Sequence, residues 1–161
     1  FLVDSILVAV KLILIIISNV VAFVALAALI DKVLALFWKP LSLESILGVI
    51  MFPFSWLLGL PVHQAWQLAQ DMGMKLVTNE FVVMGKVTAD IAHYPEHLKA
   101  VLTVFVTSFA NFGTLGMIIG AFKGLANKED NDYIASNIGY LLLSGILVSL
   151  LSAAFVGLFV W

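Results

Sequence analysis

Residues 73–84 read GMKLVTNEFVVM, and the reading of this stretch decides the fold. It sets Lys75, Asn79 and Glu80 into a chain that otherwise avoids charge. One straight membrane helix over 62–92 would carry Gln64, Gln67, Gln70, Asp71, Lys75, Asn79, Glu80 and Lys86 into lipid. Each Asp or Lys at the bilayer centre costs about 2.5–3.5 kcal/mol on insertion scales. A re-entrant helical hairpin over 62–92 avoids that cost by entering from one side, turning near 77–81 and returning. Non-helical backbone is tolerated at membrane depth only where it is buried in protein or lines a wet cavity, so the turn is expected to face a cavity.

The rest of the chain supplies the membrane context. Of its 161 residues, 63% are hydrophobic and 11% charged, whereas a soluble domain carries about 25% charged residues. Mean hydropathy is +1.13. Lysine supplies all eight positive charges and the net charge is −2, so there is no basic patch and nucleic acid is not an expected partner. With no cysteine, disulfides and thiolate metal sites are excluded. The chain starts at Phe1 in apolar sequence with no signal-peptide n-region, which reads as the C-terminal portion of something longer whose N-terminal half is missing.

Three charge-free runs, 12–30, 100–122 and 138–161, reach the roughly 20 residues that a helical crossing needs. The first begins near residue 5, giving a transmembrane helix over 5–30 with Lys11 near its end or facing protein. Ser18 and Asn19 could hydrogen-bond to a neighbouring helix there. The apolar stretch SILGVIMFPFSWLLGL at 45–60 is short and interrupted by Pro53. With Trp38 and Trp56 nearby, an interfacial helix over 43–60 is expected rather than a full crossing. KGLANKEDNDYIASN at 123–137 reads as a polar connection outside the membrane. Its lysines balance Lys32 and Lys39, so the positive-inside rule assigns no orientation. In the last transmembrane helix, 138–161, Gly145, Ser149, Ala153 and Gly157 form a small-residue stripe suited to close helix packing.

The run AVLTVFVTSFANFGTLGMIIGAF at 100–122 holds Ser108, Asn111, Gly113, Thr114 and Gly116 at its centre. It reads either as a span whose polar residues face neighbouring helices or as a discontinuous helix over 98–122, opened near 111–116. The second reading places a hairpin tip and a broken helix at similar depth, the arrangement from which transporters build midplane sites. The groups gathered there have a definite chemistry. An ionised Glu80 only accepts, Asn79 and Asn111 both donate and accept, Thr114 adds a hydroxyl, and Phe109 a flat apolar face. Carboxylate and amides suit vicinal hydroxyls and an aromatic face suits a ring, so a sugar or nucleoside fits better than a bare ion or a lipid tail.

The spacing Gly73-x-Lys75-x-x-x-Asn79-Glu80-Phe81-Val82 resembles the signature of the concentrative nucleoside transporters, with Val83 where alanine is usual and Met84 fitting. SFANFGTLGMIIG at 108–120 resembles that family's Phe-Ala-Asn motif in a broken helix, with Ser108 and Thr114 standing where glycine and serine are common. The resemblance covers nearly the whole chain but only the C-terminal part of the family's transporter. It implies an all-α integral membrane fold of transmembrane helices, a re-entrant hairpin and a discontinuous helix, multi-pass in the plasma membrane (the bacterial inner membrane). It also implies import of nucleosides by secondary active transport, coupled to sodium or protons, in a homotrimer embedded in the lipid bilayer. Glu80 would bond ribose hydroxyls, Asn111 and Thr114 would support the same sugar, and Phe109 would lie against the base. Asn79 would either touch the sugar or hold the hairpin tip. No catalysis and no cofactor are implied beyond the coupling cation, whose site would lie largely in the missing portion.

Lys75, one turn below Asn79, is expected to pair with a carboxylate or reach the interface. Two other classes compete. An intramembrane enzyme would need Glu80 as a base beside His63, His93 or His97, but the last two flank what reads as a wet turn and no HExxH spacing occurs. A structural or pore-forming subunit would pair Glu80 internally with Lys75 or Lys86.

Overall fold

The computed structural model describes residues 2–161, by backbone alone at 12, 15, 16, 19, 20, 23, 119–121 and 123–125. Its helices are α1 (Leu2–Phe37), α2 (Leu43–Leu57), α3 (Val62–Val77), α4 (Glu80–Val87), α5 (Glu96–Thr107), α6 (Phe112–Leu125), α7 (Lys128–Ser136) and α8 (Ile138–Gly157). A single 3-10 turn, Ile91–His93, precedes α5, and the described residues contain no strand.

α1 extends the expected 5–30 helix at both ends, to 36 residues, or about 54 Å at 1.5 Å per residue. Nothing before Pro40 breaks it, so it runs on through Asp31 and Lys32. Asp31 then serves the next element, because its Oδ1 accepts from the Leu43 amide at 2.8 Å and fixes the start of α2. Ser18 is exposed on α1, and the side chain of Asn19 lies outside the described residues.

α2 lies along α3 in close backbone contact. A Cβ on Gly73 would stand 2.9 Å from both the Glu44 carbonyl oxygen and the Gly48 amide nitrogen, so backbone rests on backbone. Ser55 reinforces the pair by donating to the Ala65 carbonyl at 2.7 Å. The helix continues through Pro53 without a break, and its buried face is Gly48, Met51 and Ser55. Gly59 turns the chain toward α3 at φ +87, a conformation that glycine adopts without a Cβ penalty.

α3 stops at Thr78 and Asn79, within the expected turn at 77–81, and α4 doubles back along it. The return is pinned where Lys86 Nζ meets Asp71 Oδ1 at 3.1 Å. The returning arm is shorter than the expected 62–92 segment, since α4 ends at Val87 and the 3-10 turn takes up the remainder.

The 98–122 run is discontinuous. α5 ends at Ser108 and α6 starts from Asn111, both in extended backbone. The opening therefore spans 108–111, ahead of the expected 111–116, and Gly113 and Gly116 are helical. The reason is capping: Asn111 Oδ1 accepts from the Thr114 amide at 2.8 Å and so starts the helix that the two glycines were expected to interrupt.

Two further expectations change. The polar connection at 123–137 holds the helix α7, started by Asn127, whose side chain accepts from the Asp130 amide at 2.8 Å. His97 does not sit in a wet turn but is buried. Its Nε2 lies 2.8 Å from the Leu58 carbonyl, its Nδ1 faces the Val160 carbonyl, and its ring stacks on Trp161 at 4.5 Å. It ties the α2–α3 turn to the far end of α8.

The small-residue stripe of α8 packs on α5. A Cβ on Gly157 would meet His97 and Val101 at 3.2 Å, one on Gly145 would meet Ala110 Cβ at 2.9 Å, and Ser149 and Ala153 are buried between. The core is gathered around α3 and α5, with Leu68, Met72, Leu98, Val101, Leu102 and Phe105 all almost wholly buried. Among the described residues, Glu96–Ile118 (taken across the break) and Ile138–Gly157 are long and apolar enough to cross a bilayer.

Candidate solute site at two capped helix ends

The hairpin turn and the helix break use the same device. At each, an asparagine in extended backbone accepts from the amide three residues on: Asn79 from Val82 at 3.1 Å, Asn111 from Thr114 at 2.8 Å. Each cap satisfies one of the amides that a helix start leaves unpaired. Two helix N-termini, with their partial positive ends, thus open at the hairpin turn and at the break.

The two ends meet. Asn111 Nδ2 donates to Glu80 Oε2 at 3.1 Å, so one amide caps α6 with its oxygen and holds the carboxylate of α4 with its nitrogen. Asn111 is 3% exposed, while Glu80 is half-buried. Glu80 also occupies the first turn of α4, where a carboxylate favours the helix dipole.

The remaining expected residues fall around this pair. Thr114 is buried and its hydroxyl donates to the Phe109 carbonyl at 2.8 Å, which leaves its oxygen lone pairs as what it can offer. Phe109 is 64% exposed at the break, with an open ring face. Asn79 is buried and spends its carbonyl oxygen on the cap.

Lys75 corrects the sequence reading. It is 0% exposed, so it reaches no surface, and among the described residues no carboxylate forms an ion pair with it. Its Nζ donates to Ser108 Oγ at 2.7 Å and lies 5.1 Å from the centre of the Phe105 ring. Ser108 Oγ in turn donates to the Phe105 carbonyl at 2.6 Å. Lys86 is engaged by Asp71, so Glu80 belongs to neither of the described ion pairs. The internal Glu80–lysine pair required by the structural-subunit reading is absent among the described residues. Ser108 was noted in the sequence among the polar residues at the centre of 100–122 and as a departure from the family motif; its partnership with Lys75 had no local signal there.

Two largely apolar cavities flank the break. One of about 320 Å³ lies between α6 and α8, bordered by Phe109, Asn111 and Thr114. The other, about 330 Å³, lies beneath α1 and α2, bordered by Val77 and Phe112. The first cavity is thus apolar along α6 and α8, with the Asn111 amide and the Thr114 oxygen at its edge and Glu80 reached through Asn111. Among the described residues, no three His, Asp or Glu side chains cluster as a metal site would need.

Comparison with known proteins places this architecture. The model of the family described as "Na+ dependent nucleoside transporter C-terminus" matches residues 1–157. The purine nucleoside transport protein NupG of Bacillus subtilis is 46% identical over 158 residues, covering 98% of this chain and 40% of that protein. The nucleoside permease NupC of Helicobacter pylori is 33% identical over 125 residues, 74% of this chain and 30% of that protein. Among solved structures, CNTnw in an inward-facing substrate-bound state aligns at a TM-score of 0.75 with 28% identity, over 96% of this chain and 36% of that one. A CNTnw variant in an intermediate state aligns at 0.88 with 26% identity, over 98% and 41%. The chain thus spans between 30% and 41% of the length of these relatives. The family is one of transporters, not enzymes. With the model match running through both capped asparagines, the chain belongs to the concentrative, Na+-dependent nucleoside transporter family and corresponds to its C-terminal region.

Proposed function

We propose that the intact transporter moves nucleosides across a membrane by secondary active transport, with the sugar held between Glu80 and Asn111. The observation that carries this is the 3.1 Å contact between those two side chains. It joins a hairpin tip to a broken helix with a carboxylate and an amide, a match to the vicinal hydroxyls of ribose. In this reading α3 and α4 form the re-entrant hairpin, and Glu80 accepts from the ribose hydroxyls. Asn111 and the Thr114 oxygen support the same sugar, Phe109 lies against the base, and Asn79 holds the tip. The coupling cation is sodium or a proton. The assembly is a homotrimer, multi-pass in the bacterial inner membrane. NupG and NupC, both named for nucleosides, support the substrate class.

Uptake of radiolabelled uridine and adenosine by the full-length parent in proteoliposomes tests this, with sodium and pH gradients imposed separately. Hydrogen bonds to a charged group are worth about 1.5–3 kcal/mol each, so Glu80→Gln is expected to weaken nucleoside affinity roughly 10- to 150-fold while the protein stays folded. The gradient that drives wild-type uptake names the cation. Unchanged affinity in Glu80→Gln would remove Glu80 from the site, and absence of wild-type uptake under either gradient would defeat the transport reading.

A further inference from the structure

Lys75 is among the largest fully buried side chains of the described residues, and the solute site as described makes no use of it. Burying an ammonium is expensive, and an apolar residue of similar volume usually serves stability as well or better. What Lys75 does in this structure is specific in place. Its Nζ bonds Ser108 Oγ, the residue at which α5 ends and the break begins. Its stem leaves α3 one turn before the hairpin tip. Glu80 opens α4 on the other side of that tip. Phe105, beneath the lysine, supplies a ring face to the same ammonium. The lysine therefore joins the hairpin arm to the end of α5, one turn before the tip that carries Glu80.

We propose that Lys75 is a positioning residue for solute recognition: through Ser108 it fixes the break, and with it Asn111, against the hairpin tip that carries Glu80. The inference rests on the reading of Glu80 as the sugar-binding group. It deepens that reading by making the preference for a hydroxylated sugar depend on a residue that does not touch it. The Lys75–Ser108 bond and the Glu80–Asn111 bond run side by side between the same two units, one structural and one available to solute. Loss of the first lets the second wander.

The test is the ratio of affinities for a ribonucleoside and its 3′-deoxy analogue. It is measured by binding calorimetry on the full-length parent in wild type, Lys75→Met, Lys75→Arg and Ser108→Ala. The wild type is expected to prefer uridine over 3′-deoxyuridine by at least about tenfold, the strength of one charge-assisted hydrogen bond. In Lys75→Met the ratio is expected to fall toward one, through weaker uridine binding with the 3′-deoxy affinity little changed. Ser108→Ala should lose part of the preference, and Lys75→Arg, which keeps the charge, should retain most of it. A purely structural lysine would weaken both ligands alike and leave the ratio intact; that result overturns the inference. Should Lys75→Met fail to fold, Ser108→Ala and Lys75→Arg decide by the same ratio. A wild type that does not discriminate the two ligands sinks the Glu80 reading itself. A discriminating wild type with ratio-neutral variants sinks only the role of Lys75.

Discussion

Asn111 performs two tasks with one amide, and substitutions can separate them. Asparagine and aspartate cap helices about equally, whereas alanine at such a position costs about 1 kcal/mol. Asn111→Asp is therefore expected to keep the start of α6 while placing a second carboxylate against Glu80. Thermal unfolding in detergent should stay nearer wild type than in Asn111→Ala, yet nucleoside binding should be lost. Wild-type affinity in the aspartate variant would mean that the amide's donation to Glu80 plays no part in recognition. At this scale the sequence was legible where residue type alone restricts the role. A carboxylate and two amides in apolar runs have few uses, and Glu80 and Asn111 do meet. Lys75 was not legible, because its partner lies 33 residues away and a lysine in an apolar segment ordinarily extends its stem toward water. His97 escaped for the same reason: its partners are carbonyls 39 and 63 residues distant, which no local pattern announces.

Between elements, close packing and one ion pair set the geometry, and each has a control. Gly73→Ala would drive its new methyl to 2.9 Å from backbone atoms of Glu44 and Gly48, which cannot swing aside as a side chain tip can. A loss of about 1–3 kcal/mol is expected, the usual scale for overpacking. Gly116→Ala meets nothing within 4 Å and should be neutral or stabilising by up to about 1 kcal/mol, from helix propensity. Equal behaviour of the two in thermal unfolding would contradict the backbone contact between α2 and α3. Lys86→Met strands the buried Asp71 carboxylate and is expected to destabilise the hairpin by about 1–3 kcal/mol. Adding Asp71→Leu should recover most of that. The small-residue stripe of α8 and the hairpin turn could be foreseen because spacing and forbidden burial are local properties. The extent of α1, the helix α7 and the exact site of the break could not. Helix ends depend on caps such as Asn111 and Asn127, which compete with the composition that suggested loops.

Across the molecule, the chain carries no cysteine, which makes single-cysteine labelling direct. Tyr133 on α7 is 71% exposed, whereas Val101 on α5 is wholly buried. Tyr133→Cys in the full-length parent should react quickly with a membrane-impermeant maleimide added from one side only. Val101→Cys should not react from either side. Labelling of Tyr133→Cys from both sides of sealed vesicles would show that α7 holds no fixed side.

The bond between Asn111 and Glu80 also bears on how tightly a cargo is held. Under the proposal above, arriving hydroxyls would compete with the Asn111 amide for the Glu80 carboxylate, so the gain on binding would be the difference between two sets of hydrogen bonds and the protein itself would moderate the affinity.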